Sequence, residues 1–266
     1  MIAYILGLIM KLEGLFMLIP VLVALIYREH NGMWFAIVAV CALVFGAVVT
    51  HKKPESNVFY MREGCIATAM SWFIMSVIGC LPFFLSGEIP SFIDALFETV
   101  SGFTTTGSTI LSDVESLSYC MLFWRGFTHW IGGMGVLVFL LAVIQMTGGS
   151  NMNLLRAESP GPSVGKLVPK IKYTAQILYI IYFGMTIVEI VLLLISRMTA
   201  FDAITLSFGT AGTGGFGIKG DSLASYTALQ QWIVTIFMIL FGVNFNLYFL
   251  IRLKNWKDAL KNEELH

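Results

Sequence analysis

Six stretches of the chain are almost continuously apolar, near 2–27, 33–50, 64–86, 120–146, 172–197 and 228–252. Several approach the roughly 20 apolar residues that a bilayer-crossing helix needs. Short polar stretches separate them, which predicts repeated crossings: an all-α, polytopic membrane protein with six transmembrane helices. The first run carries Lys11 and Glu13, exceeds the length of a secretory leader's apolar core and lacks a small-residue cleavage site, so it is read as a retained helix. Lys11 and Glu13 are two residues apart and do not face each other on a helix. Contacts to neighbouring helices or snorkelling account for them.

Two connections, 89–112 and 198–225, are not ordinary loops. In the first, Pro90 and Ser91 precede an apolar segment of about a dozen residues ending at Gly102, a length that suits a re-entrant helix rather than a span. Ser91 and Asp94 have the spacing that caps a helix start, and Thr199 and Asp202 repeat it in the second connection. Laying Asp94 on Asp202 without gaps places Ala95 on Ala203, Thr105 on Thr213 and Gly107 on Gly215. The repeating unit is long helix, short re-entrant helix, Thr/Gly-rich segment, long helix. The expected organisation is a transmembrane hairpin at 1–63, a first unit at 64–146, a linker at 147–171, a second unit at 172–253 and a tail at 254–266.

Composition agrees with the pattern. Hydrophobic residues make up 57% and charged residues 12%, with a mean hydropathy of +0.82, which excludes an ordinary water-soluble domain. The net charge is zero, so no global field points to nucleic acid. Basic residues concentrate in three segments: Lys52, Lys53 and Arg62; Arg156, Lys166, Lys170 and Lys172; and Arg252, Lys254, Lys257 and Lys261. By the positive-inside bias these are cytoplasmic, and so are both termini. The opposite side is rich in acids, among them Glu29, Glu88, Asp94, Glu98, Glu115 and Asp202, an excess that concentrates cations at an outer mouth. Arg125, near the start of a helix on that side, is expected to snorkel to the interface. The four cysteines are scattered and read as small packing residues, and the four histidines form no metal-ligand pattern.

The chemistry lies where the short helices end, at Thr104, Thr105, Thr106 and Gly107, and at Gly212, Thr213, Gly214 and Gly215. Irregular backbone at membrane depth is tolerated only where protein buries it or water lines it. Glycine lets carbonyls turn toward an axis and threonine supplies a hydroxyl to tie the strand down. Inward carbonyls can replace the hydration shell of a dehydrated cation. Gly212, Gly214 and Gly217 also satisfy a dinucleotide-binding pattern, but no strand precedes them and no acid for a ribose follows at 233–240. Glycine turns that only let helices pack are the bland alternative; two loops with the same cap, length and ending weigh against it. Glu98 either holds the filter by hydrogen bonds or is satisfied by nearby backbone. Asn244 and Asn246 either line an inner cavity or bond between helices. No cluster of His, Asp, Glu and Ser at one depth suggests an enzyme.

The strings FETVSGFTTTG at 97–107 and WRGFTHWIGGMG at 124–135 resemble the first pore loop and following helix of the Trk/Ktr/HKT superfamily of potassium transporters. AESPGP at 157–162 with KLVP at 166–169 resembles its cytoplasmic linker, and TGGF at 213–216 and GVNFN at 242–246 its second pore loop and next helix. The resemblance implies helix, pore loop, helix units around one ion path selective for K⁺ and sometimes Na⁺. It makes Thr104, Thr105, Thr106, Gly107, Gly212, Thr213, Gly214 and Gly215 filter residues, with Gly107 and Gly215 facing the ion. It implies no organic cofactor, and a cytoplasmic nucleotide-binding regulatory subunit of the TrkA/KtrA kind docking at the linker and tail. The family places four units in one chain and its gating loop in the third, whereas two units are present here. The chain is then either a fragment or one whose pore is completed by a second copy or another half-subunit, the simplest closure being a homodimer; a scaffold subunit that does not conduct alone is the rival reading.

Overall fold

The computed structural model describes residues 2–52, 61–135, 171–243, 245, 247 and 248, the side chains of 61, 62 and 171–175 excepted. All regular elements among these residues are helices: α1 (Ile2–Phe16), α2 (Leu18–Tyr27), α3 (Gly32–Val49), α4 (Met61–Ser86), α5 (Phe92–Phe103), α6 (Tyr119–Gly133), α7 (Ile171–Ile195), α8 (Ala200–Ala211) and α9 (Ala228–Gly242). Among the described residues four segments, Ile2–Tyr27, Gly32–Val49, Glu63–Ser86 and Gln176–Ile195, are long and apolar enough to cross a membrane. The expected fourth and sixth crossings begin with α6 and α9, each 15 residues long. Their continuations, the linker at 147–170, the tail at 254–266, Asn244 and Asn246 lie outside the described residues.

The first apolar run, expected as one helix, divides at Met17. Pro20 accounts for the break: it has no N–H to donate and its ring crowds the carbonyl four residues back, which belongs to Phe16, the last residue of α1. α2 then ends on Arg28 in the left-handed conformation (φ 57°), whose N–H closes onto the Ala24 and Leu25 carbonyls. The chain turns and α3 runs back along α1 with very close backbones: a side chain at Gly46 would meet the Gly7 carbonyl oxygen at 2.7 Å. Small residues at such crossings let apolar helices associate by direct backbone packing.

The hairpin packs on α4 through α1 and on α6 through α2, while α5 lies between α4 and α6. α8 packs against α6 on one side and α7 and α9 on the other, so α6 is the wall shared by the two units. Its central residues, from Cys120 to His129, are buried without interruption, polar ones included. The Trp124 indole N–H donates to the Gly79 carbonyl of α4 at 3.0 Å, and its ring is fully buried between Phe35 and Phe103. Large apolar side chains are exposed along the outward faces, among them Val40, Phe45, Phe73, Ile180, Ile195 and Trp232, as expected of helices solvated by lipid.

The N-terminus of α6 is fastened by two acids that the sequence places at an outer mouth. Glu29 accepts the Tyr119 and Cys120 N–H groups at 2.7 and 3.0 Å, and Glu88 accepts from the Ser118 N–H at 3.0 Å and its hydroxyl at 2.6 Å. These carboxylates satisfy helix-start donors that would otherwise be orphaned and complement the positive end of the helix. Glu29 thereby docks the hairpin onto the first unit, while Glu88 ties the end of α4 to the start of α6 within that unit.

Candidate functional site: two Thr/Gly loops around one helix

α5 and α8 have 12 residues each, about 18 Å at the helical rise and too short to span the hydrocarbon core. Both start as the sequence predicts. The Ser91 hydroxyl accepts the Asp94 N–H at 3.3 Å and the Thr199 hydroxyl accepts the Asp202 N–H at 3.2 Å, and the carboxylates fall in the first turn, where the helix dipole favours them.

The two helices also end alike. The Thr104 N–H donates to the Val100 carbonyl, Thr105 to Gly102 and Thr106 to Ser101, at 2.9, 3.1 and 2.9 Å. In the same register Gly212 donates to Phe208, Thr213 to Thr210 and Gly214 to Gly209, at 3.1, 2.9 and 3.2 Å. Thr105 and Thr213 both have φ 53°, while Gly107 and Gly215 have φ 76° and 85°. Positive φ is natural for glycine but strained for a β-branched residue, and a non-glycine residue there is held by its surroundings at a cost of about 1–3 kcal/mol. The strain recurs at the same step of both loops, directly after the negative, C-terminal end of each short helix.

The loops touch. A Cβ on Gly107 would lie 1.8 Å from the Gly214 carbonyl oxygen, so this glycine is required by space as well as by conformation. Around Gly215 a Cβ would meet nothing within 4 Å, and only its dihedral angle calls for glycine. α6 backs both loops. A Cβ on Gly132 would clash with the Phe103 carbonyl oxygen at 2.2 Å, and one on Gly133 with the Gly212 Cα at 2.7 Å. The consecutive glycines let one helix seat both Thr/Gly loops. His129 is fully buried on the same helix, its ring pressed against Gly214 and its centroid 4.1 Å from that of Phe216.

Glu98 and Arg125 meet in a buried ion pair, Nε to Oε1 at 2.5 Å, with side-chain exposures of 0% and 3%. The expectation that Arg125 snorkels is therefore wrong: its guanidinium turns inward, donates from Nη1 to the Gly217 carbonyl at 2.6 Å and stacks over the Phe216 ring with Cζ 3.6 Å from the centroid. Glu98 also accepts the Thr109 hydroxyl at 3.0 and 3.1 Å and the Ile110 N–H at 3.1 Å. Glu98 therefore meets both nearby backbone and a remote cation. Arg125, His129 and Phe216 were missed as site residues; the i, i+4 spacing of Arg125 and His129, placing two polar side chains on one face of an apolar helix, is the signal that could have found them. Glu13, expected to snorkel or find polar contacts, is instead 1% exposed beside Gly79, and its carboxyl oxygens have no hydrogen-bond partner among the described residues.

Residues 31–260 match the model of the TrkH family, described as cation transport protein. The chain is 38% identical over 250 residues to the Trk system potassium uptake protein TrkH of Escherichia coli K12, covering 92% of this chain and 52% of that protein. It is 35% identical over 264 residues to Trk system potassium uptake protein TrkG of the same organism, covering 97% and 54%. A crystal structure of the potassium transporter TrkH from Vibrio parahaemolyticus superposes with a TM-score of 0.79 at 33% identity, covering 93% of this chain and 50% of that one. The chain thus spans about half the length of the relatives it matches.

Proposed function

The chain belongs to the TrkH family of cation transport proteins and is a multi-pass membrane protein; from this premise we propose that it forms part of a potassium-uptake pore. Its work is permeation, without covalent chemistry or an organic cofactor, across the cytoplasmic membrane. In this reading α5 and α8 are re-entrant pore helices between six membrane crossings, and both termini and the linker lie in the cytoplasm. Thr104–Gly107 and Gly212–Gly215 are the filter strands, with Glu98 as their support. The relatives that carry potassium uptake in their names support K⁺ as cargo, with Na⁺ as the competing ion to be tested.

One observation carries the reading: two loops far apart in sequence repeat the same hydrogen-bond register and the same left-handed steps, and meet at Gly107 and Gly214. A packing turn has no need of a strained threonine in both copies. Carbonyl-lined strands exposing such backbone can replace an ion's hydration shell, provided enough strands surround it. Two strands leave much of that shell open, so the path is completed by two more, from a second copy of this chain, another half-subunit or a continuation of the same polypeptide. The homodimer is the simplest closed arrangement. A cytoplasmic nucleotide-binding subunit of the TrkA/KtrA kind, docking on the linker at 147–171 and the tail, is the expected regulator.

Filter chemistry is tested by Gly107→Ser in a conducting assembly. The expected result is protein that still inserts in the membrane but whose flux no longer favours Rb⁺ or K⁺ over Na⁺. Unchanged discrimination sinks the assignment. A non-conducting scaffold is distinguished by the absence of Rb⁺ flux from wild-type proteoliposomes containing the completed assembly.

A further inference from the structure

We propose that Arg125 is a positioning residue that locks the second filter loop to the first, so that one buried ion pair sets the geometry of both; this rests on the reading of the loops as a filter. The argument starts from which residues the pair holds. In the register that lays Asp94 on Asp202, Thr109 corresponds to Gly217. Glu98 holds the Thr109 hydroxyl, and Arg125 holds the Gly217 carbonyl. Equivalent points on the outgoing limbs of the two loops are therefore fastened to opposite ends of a single pair.

At the matching positions the second unit has no such pair. Leu206 stands where α5 has Glu98, and, counted from the helix N-caps Ser118 and Thr227, Val234 stands where α6 has Arg125. Its loop instead inserts Phe216 beneath the guanidinium and against His129, one turn further along α6. Arg125 thus makes three contacts that the planar guanidinium alone can make together: an ion pair through Nε, a hydrogen bond through Nη1 and a stack on an aromatic face. Removing one partner of a buried pair leaves an uncompensated charge, so the coupling is tight. A lysine ammonium can keep the charge opposite Glu98 but cannot also bridge to Gly217 while stacking flat on Phe216.

The two loops should therefore respond differently to different substitutions. In Arg125→Lys, followed by hydrogen–deuterium exchange of the full chain in detergent, amides at 109–111 keep wild-type protection. Those at 214–218 exchange about tenfold faster, the effect of losing one charge-assisted hydrogen bond. Phe216→Leu, which removes the stack and leaves the pair intact, loosens the same second segment alone. Glu98→Gln, which strands the guanidinium, loosens both. In proteoliposomes of the completed assembly, Arg125→Lys lowers the preference for Rb⁺ over Na⁺ while total flux persists. Equal exchange at both segments in Arg125→Lys, or wild-type exchange at 214–218, overturns the proposal. Should that variant not fold, Phe216→Leu decides by the same criterion. Absence of flux in the wild type would count against the potassium reading and leave the exchange result to stand or fall separately.

Discussion

The loop at 104–107 and the loop at 212–215 follow the same backbone path with different means of holding it. In the first, hydroxyls do much of the work: Thr104 donates to the Val100 carbonyl at 2.7 Å and its oxygen lies 2.8 Å from that of Thr106. In the second, glycines occupy both equivalent positions, and the loop leans instead on α6, through His129 behind Gly214 and Phe216 under Arg125. One loop is stiffened from within and the other from behind. A shared dihedral path therefore does not imply shared supports, and substitutions at matching positions should not have matching effects.

The largest contrast is expected between the two left-handed glycines. Gly107→Ala forces a Cβ into the Gly214 carbonyl oxygen in addition to an unfavourable φ, so it should lose several kcal/mol and separate the loops; the backbone penalty alone is about 1–2 kcal/mol. Gly215→Ala meets open space and should lose only that backbone share of about 1–2 kcal/mol. Thermal unfolding of both variants in the same detergent makes the comparison, and equal losses would mean that the loops do not touch as described.

Next comes His129→Ala, which empties the space behind the second loop. Truncating a buried ring of this size should cost roughly 2–4 kcal/mol. Exchange should quicken at 212–216 while 104–107 is spared, because the part of α6 that lies against Phe103 and Thr105 of the first loop is Gly132 rather than His129. Quickening spread evenly over both loops would erase the distinction between internal and external support.

The smallest effect is reserved for the outer end of the second unit. The Tyr226 hydroxyl donates to Asp202 at 3.1 Å. Burial, followed by the nearby Asp202 carboxylate, holds the phenol above its ordinary range of ionisation. A phenol that resists ionisation in the fold contributes stability that is complete below its unfolded pKa of about 10 and is lost as pH rises from there toward the folded value. Tyr226→Phe should therefore flatten the alkaline limb of stability between about pH 9.5 and 11, with little change near neutrality beyond the one hydrogen bond. An alkaline limb identical in the two proteins would remove Tyr226 from the account.

Much of this architecture is legible in the residues. The caps at Ser91 and Thr199 are readable because a hydroxyl three residues before an acid is a local device, complete within one turn. The repeat is readable because Thr105, Gly107 and their counterparts answer to backbone conformation, which each loop imposes on itself. The break at Met17 was equally available, since Pro20 cannot continue the bonding of α1. What escaped was non-local. Arg125 lies near a helix start, where snorkelling is ordinary, and nothing in its neighbourhood announces a carboxylate 27 residues earlier or a carbonyl 92 residues later. Glu29 and Glu88 likewise read as surface acids until the fold brings them to the start of α6.

The claim at the centre of this account is that two such loops make part of a potassium filter and need two more to complete it. The direct measurement is Rb⁺ influx into proteoliposomes from assemblies whose stoichiometry has been fixed by native mass spectrometry in mild detergent, with K⁺ or Na⁺ as competitor. The account predicts influx from assemblies that present four loops, suppressed far better by K⁺ than by Na⁺, and none from single chains. Selective K⁺ conduction by a well-folded single two-loop chain, or a four-loop assembly that treats K⁺ and Na⁺ alike, would contradict it.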